Sequence, residues 1–263
     1  MARYAALRCA FLISLVTASS CTTIEAREST VRQDNLGSHV EAYAKLGRFS
    51  GVVVLSSADV RSIWTSTEDL CREGGRAFDP DSQFDPGSIA KPMLAVVVLS
   101  LVDEGRLALD ASIDTYLPEL TGTAYGQATL HQLLTHTAGI PDHDRVENFF
   151  ETIAYRDVSQ HELLDLFVNS EPLFEAGSSW SYSNFGYSLL AMAAERATGA
   201  PYPRLLAERV FRKAGMAHSR HGDLRAESSQ GCVRAFGGEI EQRASSAAAA
   251  SLGAGDVVAS AAD

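Results

Sequence analysis

The chain has 263 residues, 46% of them hydrophobic and 21% charged, proportions that suit one large globular domain and exclude a disordered chain or a coiled coil. Its formal net charge of -11 sets up a field that repels phosphate, which excludes nucleic acid as a partner. Cys9, Cys21, Cys71 and Cys232 have no Cys-x-x-Cys spacing, so neither a zinc knuckle nor a thioredoxin-like motif is available.

Residues 1–21 carry Arg3 and Arg8, an apolar run over 9–16, and the small residues Ala18, Ser19 and Ser20 ahead of Cys21. That order is the pattern of an export signal, shorter than the roughly 20 apolar residues a membrane span needs. The expected location is the periplasm or the cell envelope. Cys21 is a candidate for lipidation, which decides between membrane attachment through an N-terminal lipid and a soluble exported chain, and leaves the fold untouched. After export, Cys71 and Cys232 remain as the two cysteines whose pairing the sequence leaves open.

Residues 22–35 are polar and charged and read as a tether, with the folded domain covering 36–263. Leu36, Val40, Tyr43, Ala44 and Leu46 recur at helical spacing. A β-branched run at 51–55 and a second at 60–67 read as a hairpin. Residues 88–102 are apolar on nearly every side, which predicts a helix through the interior; Pro92 is tolerated only in a first turn, so the helix starts close to Ser88. Further helices are expected at 129–134, at 160–168 with Ser159 and Glu162 as a capping box, at 184–197 and at 202–213. A short strand is expected at 232–236. The small residues of 244–250 read as a surface stretch. Ser260, with Asp263 three residues on, reads as the N-cap of a helix that would lie beyond the last residue.

Ser88 and Lys91 stand three apart at a helix start, on one face and within mutual reach. A serine hydroxyl is a poor nucleophile until a base takes its proton, and a lysine amine serves as that base where burial disfavours its charged form, which the apolar helix provides. Tyr182 and Asn184 supply a second constellation, Tyr-x-Asn at a helix start: a phenol to shuttle a proton and an amide to hold a substrate group. His131, His136, His143, His218 and His221 lack the dense spacing of a metallohydrolase, so no metal and no cofactor is expected, and His136 is read as a loop-stabilising residue. The absence of Gly-x-Ser-x-Gly argues against an α/β-hydrolase.

Taken in order, Gly87-Ser88-Ile89-Ala90-Lys91-Pro92, the run from Leu133 through Thr135-His136-Thr137 to Ile140-Pro141, and Trp180-Ser181-Tyr182-Ser183-Asn184-Phe185-Gly186-Tyr187 resemble the serine β-lactamase and penicillin-binding-protein superfamily. The likeness is to class C β-lactamases, D-alanyl-D-alanine carboxypeptidases and their esterase relatives. It extends more loosely through Arg106 to Asp110, Tyr116 to Glu119 and Lys213 to Met216.

The resemblance implies an α/β (α+β) fold in which an antiparallel sheet is flanked by helices, with a helical subdomain beside it. It also implies an acyl-enzyme route with Ser88 as nucleophile, Lys91 and Tyr182 moving protons, and Asn184 orienting a small-molecule or peptidoglycan-derived substrate. The Ser88 N–H would be one oxyanion donor, a contribution of about 3 to 4 kcal/mol in comparable sites. In the family the second donor and a Lys-Thr-Gly or His-x-Gly motif lie on a later strand, and nothing after Tyr182 supplies either. The expectation is therefore a monomeric serine hydrolase truncated at its C-terminus, its sheet incomplete, acting on a β-lactam, a D-alanyl peptide or an ester. The alternatives are a catalytically silent relative that binds penicillin or peptidoglycan, and a structural envelope protein.

Overall fold

The computed structural model describes residues 33–56, 61–66, 77–223, 232–234, 240–242 and 246–263. Cys9, Cys21 and Cys71, and with them the export signal, the lipidation site and one half of the cysteine pair, lie outside those residues. The chain divides into two units at His39 and Val40. Helix α1 (Gln33–Lys45) holds all the described residues of the first. Every other element belongs to the second.

Strands β1 (Val52–Ser56) and β2 (Arg61–Thr65) pair antiparallel with Val54 opposite Ile63, the expected hairpin. Strand β3 (Gln83–Phe84) precedes α2 (Ala90–Asp103), whose first turn is led in by a 3-10 turn at Gly87–Ile89. The short helices α3 (Leu130–Leu134), α4 (Phe149–Thr152) and α5 (Gln160–Asp165) come next, then the long α6 (Asn184–Thr198). The expected single helix over 202–213 is three pieces: α7 (Tyr202–Leu206), a π turn at Ala207–Phe211 and α8 (Arg212–Ala214). The π turn, a rare interruption of an α-helix, carries Arg209, which donates to both carboxylate oxygens of Glu104 and to Ser100 Oγ. Strands β4 (Arg220–His221), β5 (Cys232–Arg234), β6 (Ile240–Gln242) and β7 (Val257–Ser260) complete the order. Among the described residues the strands make three small antiparallel sheets, β1-β2, β3-β7-β4 and β5-β6.

The core is helix on helix. Leu94, Val97, Val98 and Leu101 of α2 are fully buried and face α6, where Phe185, Leu189, Leu190 and Met192 are buried in turn; each such aliphatic side chain contributes about 1.5 to 3 kcal/mol by leaving water. The helix expected to run through the interior buries one face only: Val96 and Leu99 are exposed. A second correction concerns the alanine-rich stretch. Within 246–250 the residues Ala247, Ala248 and Ala250 are buried, with Ala247 N–H donating to Ala154 O at 2.7 Å. Small side chains there permit close backbone approach, which low complexity alone did not signal.

The capping box at Ser159 and Glu162 is formed in both directions. An equivalent box closes on Thr129 and Gln132 at the start of α3. At the chain's last residues Ser260, expected as an N-cap, ends strand β7; its Oγ accepts from Asp263 N–H at 3.1 Å, while the Asp263 carboxylate takes His218 N–H and the Ser219 hydroxyl.

Candidate active site

Ser88 sits in the 3-10 turn ahead of α2. Gly87, at φ 55, bends the chain there and donates its N–H to Asp85 Oδ1. Proline at 92 cannot donate in a helix interior, so α2 begins at Ala90 and both Ser88 and Lys91 fall at its mouth. Ser88 is exposed and Lys91 buried.

Tyr182 and Asn184 arrive from the start of α6. Ser183, the residue between them, is the N-cap: its Oγ accepts from Gly186 N–H and donates to Pro141 O. A buried cap that is also tied to another loop holds its two flanking side chains on a rigid base.

The four sequence-predicted residues come together. Ser88 Oγ and the Tyr182 hydroxyl are 2.6 Å apart. Lys91 Nζ donates to Ser88 Oγ at 3.1 Å, to Asn184 Oδ1 at 2.7 Å and to Ala254 O at 2.8 Å. It also lies 4.7 Å from the centre of the Tyr182 ring and 5.6 Å from that of Tyr187, at cation–π range. A protonated lysine has three donors and meets three acceptors here. As a free amine it has two, and the two shorter contacts, Asn184 and Ala254, would leave its lone pair facing Ser88.

Three further residues or turns support the site, and of these only His136 was picked out from the sequence. Asp142 takes three hydrogen bonds from Asn184: the backbone N–H at 2.8 Å and the side-chain amide at 3.0 and 2.9 Å. The side-chain amide is thereby committed to Asp142, which turns Asn184 Oδ1 toward Lys91. The Leu-Thr-His-Thr motif pointed to this loop, and a carboxylate directly after Pro141 was the available signal. His136, expected to stabilise a loop, lies 4.5 Å from Tyr182, ring centre to ring centre, and its Nδ1 accepts from Ser183 N–H at 3.2 Å. Accepting at Nδ1 places the proton of the neutral ring on Nε2; burial, and then the nearby Lys91 charge, hold His136 below the ordinary histidine range. The third support is the turn 253–256, which carries the Ala254 carbonyl. At Gly253, φ 70, a Cβ would stand 2.7 Å from both Leu94 Cδ2 and Tyr187 O, so only glycine lets this turn reach Lys91.

His143 is the remaining titratable neighbour. It stacks on Phe149 at 3.9 Å and meets Phe185 edge-on. Burial lowers it to about 4, against the opposing pull of Asp142.

A sequence profile of the Beta-lactamase family matches residues 36–263. Penicillin-binding protein 4* of Bacillus subtilis is 32% identical over 148 residues, 55% of this chain and 32% of that protein. Esterase EstB of Burkholderia gladioli is 32% identical over 183 residues, 64% of this chain and 46% of that protein. The chain thus spans less than half the length of these two relatives. Among solved structures, a penicillin-binding protein from Bacillus halodurans superposes with a TM-score of 0.72 at 23% identity, covering 84% of this chain and 69% of that one, which establishes a shared fold. With the profile matching nearly everything from the first helix onward, this chain belongs to the β-lactamase family.

Proposed function

We propose that the chain is a serine hydrolase that works through an acyl-enzyme on Ser88. One observation carries the reading: the Ser88 hydroxyl is within hydrogen-bond reach of both a lysine amine and a tyrosine hydroxyl, at 3.1 and 2.6 Å. In the acylation step Ser88 Oγ forms a bond to a substrate carbonyl carbon while its proton passes to the Lys91 amine. The carbonyl oxygen takes the negative charge, beside the Ser88 N–H. As the intermediate collapses, the bond to the leaving group breaks and the Tyr182 hydroxyl delivers it a proton, which Lys91 replaces. Water then attacks the Ser88 ester by the same relay in reverse. Asn184, held by Asp142, keeps Lys91 aimed throughout.

The substrate is an acyl compound: a β-lactam, a D-alanyl peptide or an ester. The names of the relatives support that range, one a penicillin-binding protein and one an esterase. The test is release of p-nitrophenol from a short-chain p-nitrophenyl ester, compared with turnover of nitrocefin. Release by the native chain and its loss in Ser88→Ala is the expected result.

A second reading is favoured by the three acceptors around Lys91, which match the three protons of an ammonium group. A lysine fixed in that form takes no proton, and the chain would then hold penicillin or peptidoglycan without turnover. Labelling or binding without product release is the outcome that selects it. For location, the N-terminal pattern supports export with Cys21 as the anchoring residue; fatty-acid labelling lost in Cys21→Ser is the matching test.

A further inference from the structure

Behind the turn that meets Lys91 lies a buried group of three polar side chains that the acyl-transfer chemistry does not use. Asp256, the last residue of the turn 253–256 and the one that precedes strand β7, is fully buried. Its Oδ2 accepts from Gly253 N–H at 2.7 Å. His221, on the neighbouring strand β4, brings Nε2 to 3.2 Å from the same oxygen, close enough for an ion pair and outside hydrogen-bond geometry. Tyr202, at the start of α7, is fully buried, sets its ring edge-on to His221 at 5.9 Å, and is pushed up by burial first and by the Asp256 charge second. Among the described residues neither Tyr202 OH nor Asp256 Oδ1 has a hydrogen-bond partner.

A carboxylate this deep is expensive to bury, and among the described residues one of its oxygens is unsatisfied. What it does locally is specific. The bond from Gly253 N–H to Asp256 closes the turn across Ala254 and Gly255, and the Asp256 carbonyl is itself held by Gly222 N–H at 2.9 Å, next to His221. Ala254, one of the two residues inside that closed turn, has the carbonyl that takes a Lys91 proton at 2.8 Å. Strand β4, strand β7 and the turn therefore form one clamp, with Asp256 at its centre and the Lys91 amine at its outer end.

We infer that Asp256, supported by His221, is a positioning residue for Lys91: it fixes the Ala254 carbonyl so that the amine is directed at Ser88. The inference rests on the acyl-enzyme reading for its kinetic consequence and stands apart from it for its structural one. If the carbonyl is free to turn away, Lys91 keeps Asn184 and loses one of the two acceptors that orient its lone pair. Substrate binding by the pocket walls is left as it was.

The test uses the full chain with Asp256→Ala and Asp256→Asn. The asparagine retains an oxygen for Gly253 N–H, so it is the conservative rescue. Two readouts separate this inference from the hydrolase reading. The first needs no activity: amide hydrogen exchange at residues 253–255 and the 15N resonance of the Lys91 amine. Asp256→Ala should speed exchange at Gly253 at least about 10-fold and move the Lys91 resonance, with other core amides unchanged, and Asp256→Asn should restore both. The second is acylation by a p-nitrophenyl ester: Asp256→Ala should lower kcat about 10- to 100-fold with KM unchanged, and Asp256→Asn should recover most of it. Unchanged Gly253 exchange and an unmoved Lys91 resonance in Asp256→Ala overturn the inference. A native chain that releases no product sinks the hydrolase reading, and the exchange and resonance data then still decide the positioning role. Should Asp256→Ala fail to fold, His221→Gln decides it by the same readouts, with Asp256→Asn as the native-like control: a Lys91 resonance unmoved in His221→Gln overturns the inference, and a shift there that is absent from Asp256→Asn supports it.

Discussion

The hydroxyls of Ser88 and Tyr182 meet at 2.6 Å across 94 positions of chain. One comes from the turn before α2 and the other from the residue two before α6, so the contact is made by the packing of these two helices and survives only if both helix starts are held. Position 182 therefore serves two ends, and they separate by mutation. Tyr182→Phe keeps the ring that packs against His136 at 4.5 Å and removes the oxygen. Stability should stay within about 0.5 kcal/mol of the native chain. The rate of p-nitrophenyl ester acylation should fall about 100-fold or more, the usual worth of a positioned proton carrier. Urea denaturation and stopped-flow acylation measure the two.

Asp142 should prove to be a residue whose loss costs both stability and rate. Asp142→Ala leaves Asn184 without its three bonds, one from the backbone and two from the side chain. Unpaired donors of this kind cost about 1 to 3 kcal/mol. Asn184 is then free to rotate away from Lys91, so acylation slows as well. Asp142→Asn, which can still accept, should lose less in both assays.

His143 predicts a slope of stability with pH. Burial holds it at about 4 in the folded chain, whereas in the unfolded chain it titrates near the ordinary histidine value of about 6.5. Between those values the unfolded chain binds more protons than the folded one. The contribution is therefore complete above about pH 6.5 and lost as pH falls toward 4, about 3 kcal/mol in all. His136, also lowered, acts in the same direction. In His143→Phe, which keeps the stack on Phe149 and removes the buried nitrogen, the urea midpoint should change less between pH 7 and pH 4.5 than in the native chain. An equal change in both would contradict the role given to His143.

Gly253→Ala tests the turn from the steric side. The added methyl would press on Leu94 Cδ2 and Tyr187 O at 2.7 Å, on a backbone with φ 70. The strain should cost about 1 to 3 kcal/mol, and the displaced Ala254 carbonyl should slow acylation. Thermal unfolding and ester hydrolysis read these separately.

The parts of the site that could be read from residue order are those made by local rules. Ser88 and Lys91 lie together because a helix start puts positions three apart on one face, and Tyr182 and Asn184 flank Ser183 because a serine caps the helix they lead into. The capping box at Ser159 and the hairpin of β1 and β2 arise from equally local patterns. The remainder depends on chain folding back from a distance. Lys91's acceptor at 254 is a backbone carbonyl, which any residue type would present, and Asp142 reaches Asn184 only through the loop after Pro141. The buried alanines of 246–250 looked like surface because alanine is equally at home in either place; their burial is set by the loop at Ala154 against which they pack. Lys91 itself could be read as a base, whereas its enclosure by Tyr182, Tyr187 and Asn184 could not.

Intact-protein mass spectrometry after incubation with a fluorescent penicillin, combined with peptide mapping, addresses the reactivity of Ser88 most directly. A single covalent adduct on the peptide containing Ser88, formed slowly in Lys91→Ala and absent in Ser88→Ala, is the predicted result. An adduct that persists in Ser88→Ala, or none with either the penicillin or an activated ester, would contradict the assignment of Ser88 as a nucleophile driven by Lys91 and Tyr182.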